Sequence, residues 1–155
     1  MRSTVVTTAF LAALSLAAVA GGAFAADSGQ AAFAKRKHAM DEMGHALFLQ
    51  IGKVAKGQLH YGPDTVQAAQ TLNNVAQTIA TLFPPGSAVK GSRMNPDIVK
   101  DPQKIEALAM QTQATTAALL VAVKTGDLSK IGAATQTADK ACAACHTQYR
   151  LKTKL

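Results

Sequence analysis

The strongest constraint in this sequence is a five-residue cluster near its C-terminal end, Cys142-Ala-Ala-Cys145-His146, which holds the only two cysteines of the 155 residues. Three chemistries use a CxxC pair: a redox dithiol, half of a zinc site, and covalent attachment of haem. Zinc needs two further N or S ligands at suitable spacing, and His38, His45 and His60 show no such pairing. A redox dithiol of the thioredoxin kind opens a helix after a strand, where the helix dipole lowers a thiol pKa. Here the motif closes a helical pattern and no strand pattern precedes it. The histidine directly after the second cysteine is what covalent haem requires, since two thiols add across two vinyl groups and the adjacent imidazole reaches the iron. Haem c, one per chain, is therefore the expected cofactor.

The remainder of the chain has to supply a helical frame for such a group. Apolar residues are 48%, enough for a core, whereas aromatics are only 5% and there is no tryptophan. This composition excludes collagen, coiled-coil rods, disulfide-rich miniproteins and wholesale disorder. Abundant alanine and few β-branched or aromatic clusters favour close-packed helices over sheets.

The first 25 residues read as a secretory signal peptide. Arg2 precedes a short apolar run, Phe10 to Ala20, and Ala23-Phe24-Ala25 is a small-x-small cleavage site. The run falls short of the roughly 20 residues a spanning helix needs, and no basic stop-transfer cluster follows it. Cleavage after Ala25 would leave residues 26–155 as a single domain, exported to the periplasm and without a membrane span. Loss of Arg2 takes the net charge from +7 to +6. The lysines are scattered, and no basic cluster is interleaved with aromatics, so nucleic acid is not an expected partner. The excess charge is read as solvated, with some attraction to acidic partners.

Four helices are expected. The first spans about Gln30 to Lys56, with Phe33, Met40, Met43, Leu47, Ile51 and Val54 as its apolar stripe and Gly57 as its terminator. Asp64 is expected to cap a second helix to about Phe83, closed by Pro84-Pro85-Gly86. A crossover loop with one helical turn near Ile98 follows. Asp101 caps the third helix, with Pro102 at its first position, and Asp127 caps the fourth, which reaches about Arg150. Short, long and short connections describe an all-α, antiparallel four-helix bundle. Narrow, alanine-rich stripes are expected to leave volume inside it for a large group. In the fourth helix Leu128, Ile131, Thr135, Ala138, Cys142, Cys145 and Tyr149 repeat at three and four, which turns both thiols inward, between helices.

A haem motif on the last of four helices resembles the cytochrome c′ family, and the resemblance covers essentially all of residues 26–155. It rests on Cys142-Ala-Ala-Cys145-His146-Thr-Gln-Tyr149-Arg150 and on Arg36-Lys-His-Ala-Met40-Asp-Glu-Met-Gly44, with looser likeness at Gly52–Gly57 and Leu82-Phe83-Pro84. Asp139 departs from the glycine expected three residues before the first cysteine, which bears on haem seating and not on attachment. The resemblance implies His146 as the proximal ligand and Met40 at the distal position. In one branch of the family the distal residue only crowds an open, high-spin iron that binds nitric oxide or carbon monoxide. In the other, methionine is the sixth ligand and the protein carries single electrons. The Met-x-x-x-Gly pattern favours the second branch, with Met43 as core filler or rival ligand. Arg36 and Lys37 are candidate contacts to haem propionates, a solvated basic turn being the alternative. Arg150, one turn after His146, is a candidate contact on the proximal side. His38 and His45 are read as surface or cap residues. The expected function is electron transfer with redox-protein partners, with gas binding as the alternative. An enzymatic role is not expected, because the distal stretch offers no polar acid or base; Asp41 and Glu42 point outward. A homodimer through the first two helices is a further implication of the family.

Overall fold

The computed structural model describes residues 20–154. Most of the expected signal peptide, residues 1–25, lies outside this range. The first helix, α1, begins at Ala20 and runs to Gly44; it continues without a break as a π-helical segment, His45–Ile51, and a last turn, α2, Gly52–Ala55. The π-helical stretch was not foreseen from the apolar spacing. Its widened turn ends where the Gly52 N–H donates to the Leu47 carbonyl oxygen, five residues back. A Cβ on Gly52 would sit 2.9 Å from that oxygen, so the residue that admits the wider turn is the one without a side chain. Gly57, at φ +69°, then terminates the rod as expected.

The second helix, α3, is Pro63–Gln77 and starts two residues earlier than an Asp64 cap implies: Gly62 is the N-cap and Pro63 takes the first helical position. Proline's fixed φ and missing N–H suit that place, which displaces Asp64 into the first turn. The helix also ends early. The Thr78 hydroxyl donates to the Val75 carbonyl oxygen, and a tighter 3-10 turn, Ile79–Leu82, carries the chain into the crossover.

The remaining boundaries follow the caps. Pro96–Lys100 forms the helical turn expected near Ile98. In α4, Pro102–Lys124, the Asp101 side chain accepts the Lys104 amide at 2.9 Å. In α5, Leu128–Tyr149, Asp127 accepts the Ser129 and Lys130 amides. Among the described residues the only β-type pairing is an isolated bridge between Met94 and Arg150.

These elements make an antiparallel four-helix bundle. α4 lies between α3 and α5, and the first helix closes the bundle against α3. Only the C-terminal part of the first helix, the π segment and α2, packs extensively on α5. The core joins Met43, Leu47, Ile51, Leu72, Leu119, Val123, Ile131 and Ala138 from all four helices. Ala69, Ala76 and Ala138 are at most 1% exposed. Their small side chains let the helices approach one another closely. The inward stripe of α5 also begins later than its spacing implies: Leu128, in the first turn beside the Gly126 corner, is 46% exposed.

Candidate functional site

Cys142, Cys145 and His146 occupy the last two turns of α5, and all three are partly buried. The two thiols lie one turn apart on a helix, at the i, i+3 spacing that shares a face. Cys142 packs against the edge of the core, while Cys145 forms one wall of a small apolar cleft that opens to solvent. The other walls are Ile79 and Phe83 from the turn after α3, Ile98 from the crossover, and Ile105, Leu108, Ala109 and Thr112 from α4.

The electrostatics separate the chemistries open to a CxxC pair. Burial, then the Asp139 carboxylate, pushes the Cys142 thiol up to about 11. Burial also raises Cys145. Both are thus protonated near neutral pH, the reverse of the lowered pKa that a redox dithiol needs. His146 is shifted the other way: burial, and next the Arg150 and Arg93 charges, lower its pKa. A neutral imidazole keeps a lone pair for a metal. Among the described residues no three His, Cys, Asp or Glu side chains cluster as a metal site, so zinc has no donor set. Two thiols one turn apart on a helix, one against the core and one on an apolar cleft, followed by a neutral imidazole, fit a covalently attached haem.

The family model described as Cytochrome C′ matches residues 31–150. The chain belongs to the cytochrome c′ family. It is accordingly a c-type haem protein. Cytochrome c-556 of Agrobacterium tumefaciens (strain B2A) is 31% identical over 119 residues, covering 76% of this chain and 95% of that protein. A ferrous, nitric-oxide-bound variant of cytochrome c prime from Alcaligenes xylosoxidans is similar with a TM-score of 0.71 and 26% identity, over 81% of this chain and 97% of that one. Cytochrome c′ from Thermochromatium tepidum shares the fold at a TM-score of 0.72 and 22% identity, covering 80% and 97% of the two chains.

The distal candidates of this cytochrome c′ lie on α1 and have contrasting surroundings. Met43 is buried inside the core; Met40 is only partly buried and is not among the residues that build or pad that core. Arg36 is 6% exposed, so it is no part of a solvated basic turn. Its Nη1 donates to the Leu82 carbonyl oxygen at 2.9 Å and to Ser87 Oγ at 3.0 Å. Its Nη2 donates to the Ser87 carbonyl oxygen at 2.8 Å and to Ser92 Oγ at 3.2 Å. The guanidinium also lies over the Phe33 and Phe83 rings. Lys37 is exposed and ion-paired with Asp41. His38 pairs with Glu42, and His45 meets Gln50, both on the exposed face.

One turn after His146, Arg150 is exposed, and its amide donates to the His146 carbonyl oxygen, closing the helix. Arg93, which the sequence did not single out, reaches the same end: Nε donates to the Leu151 carbonyl oxygen at 2.8 Å and Nη2 to that of Lys152 at 2.9 Å. Ser87 and Ser92 were likewise not anticipated. Nothing in a loop rich in proline and glycine marks which of its polar residues will be buried.

Proposed function

We propose that this cytochrome c′ is a periplasmic single-electron carrier in which Met40 is the sixth ligand. The observation that carries this reading is the contrast between two methionines one turn apart: Met43 fills the core, while Met40 is left outside it on the same helix. Core filling, the commoner fate of a helical methionine, is met by Met43 and does not account for Met40. A bound haem supplies a one-electron Fe(III)/Fe(II) couple, and a thioether ligand raises its potential. His146 holds the proximal side through a neutral imidazole. Cys142 and Cys145 would hold the group through two thioethers at the end of α5. No distal group is disposed for acid–base work: Arg36 spends its fork on backbone and serine oxygens, and His38 and His45 are exposed. This supports a carrier over an enzyme.

The export reading rests on the N-terminal segment together with thioether attachment. The net positive charge suits acidic redox partners. A homodimer through the first two helices would cover Phe48 and Leu49, each about half exposed on the π-helical segment.

Visible spectra of the purified holoprotein test the proposal. A low-spin ferric spectrum with a weak methionine–iron band, and a ferrous spectrum unmoved by carbon monoxide, is the expected result. A broad high-spin spectrum that shifts with carbon monoxide would replace it with the second reading, a gas-binding protein. That reading draws on the likeness to Alcaligenes structures that hold nitric oxide or carbon monoxide at 26–27% identity.

A further inference from the structure

The crossover between α3 and α4 touches both sides of the site within a few residues. At one end, Arg36 of α1 holds Leu82, Ser87 and Ser92 through four hydrogen bonds. Gly29, two helical turns earlier, is buried against the same segment; a Cβ there would collide with the Gly86 carbonyl oxygen. At the other end, the Asn95 amide donates to the Tyr149 carbonyl oxygen at 2.8 Å, and the Leu151 amide donates to the Arg93 carbonyl oxygen at 2.7 Å. Arg93 adds its two side-chain bonds to the carbonyls of Leu151 and Lys152. The two ends meet at one atom: Ser92 Oγ accepts from Arg36 Nη2 and also from the Met94 amide at 3.0 Å. Met94 is the residue bridged to Arg150, which closes the turn carrying His146.

We propose that residues 82–95 act as a strap coupling the distal helix to the end of the haem-bearing helix, with Arg36 as a positioning residue that acts on His146 through Ser92 and Arg93. A buried guanidinium is costly to leave unpaired, so its acceptors are held to it, and the strap moves only if that network opens. The strap in turn restrains the last turn of α5 by backbone pairing. The coupling is reciprocal: loosening either end loosens the other. It holds whether Met40 ligates iron or not, so its failure and that of the electron-carrier reading are separable.

Hydrogen exchange of the holoprotein provides the test. Arg36→Lys keeps a charge but cannot fork; Ser92→Ala removes the shared acceptor and leaves Arg36 in place. In both, the Asn95 and Leu151 amides should exchange at least about tenfold faster relative to a core amide such as Leu119. Arg93→Gln, at the far end, should accelerate the Ser87 and Ser92 amides. The shifted ring-proton resonances of His146 in the ferric protein should move in Arg36→Lys and Ser92→Ala, but not in Leu72→Ala, a core variant of general destabilising effect. Exchange confined to the mutated end, or His146 resonances unmoved in Arg36→Lys and Ser92→Ala, would overturn the proposal.

Discussion

Met40 and Met43 stand one turn apart on α1, yet only Met43 is sealed into the bundle core, at 5% exposure beside Leu47 and Leu72. The pair therefore lets packing be tested apart from the proposed ligation. Met43→Ala should cost about 2–5 kcal/mol of stability, as buried methionine truncations do, and leave the visible spectrum unchanged. Met40→Ala should lose much less stability, abolish the methionine–iron band and open the ferrous protein to carbon monoxide. Thermal unfolding and spectra of the two variants check both halves; an unaltered spectrum in Met40→Ala would remove Met40 as a ligand.

Attachment depends on two thiols one turn apart. The product matured in a host competent for c-type haem should carry one haem by mass spectrometry. Cys142→Ala together with Cys145→Ala should carry none covalently, and either single variant should retain at most one thioether. Free thiol titration of the wild-type product should find no sulfhydryl.

The helix caps have separate signatures. Asp101→Ala removes the acceptor for the Lys104 amide and should cost about 1 kcal/mol in thermal or denaturant unfolding, with Asp101→Asn recovering most of it. At Asp127 the Lys130 amide first, assisted by the Lys130 ammonium and the Ser129 amide, holds the carboxyl below its usual range. A carboxyl lowered in the folded state stabilises above its ordinary pKa and loses that contribution as pH falls through the lowered value. The wild-type advantage over Asp127→Asn should accordingly be present near neutral pH and vanish in acid.

Export should leave Ala26 as the first residue of the mature chain. N-terminal sequencing of periplasmic material checks this. A species retaining Arg2 in the membrane fraction would show the segment to be an anchor.

Much of this was legible because it is local. A capping carboxylate followed by proline, a glycine at positive φ and the CxxCH spacing act within one or two turns, so Asp101, Gly57 and Cys142–His146 lie on the elements their sequence contexts require. Where two local signals competed, as at Pro63 and Asp64, spacing alone did not rank them. The π-helical turn before Gly52 was also hidden, because it turns on a close backbone approach and not on apolar spacing.

The sequence by itself determined a helical bundle and which helix bears the haem, since helix periodicity and thioether chemistry depend on neighbours along the chain. Only the tertiary structure decided that Met43 and not Met40 fills the core, and that Arg36 spends its hydrogen bonds on Ser87 and Ser92, 51 and 56 positions away. Burial and long-range hydrogen bonding depend on what other segments bring to the same place, and no local pattern in a chain records that.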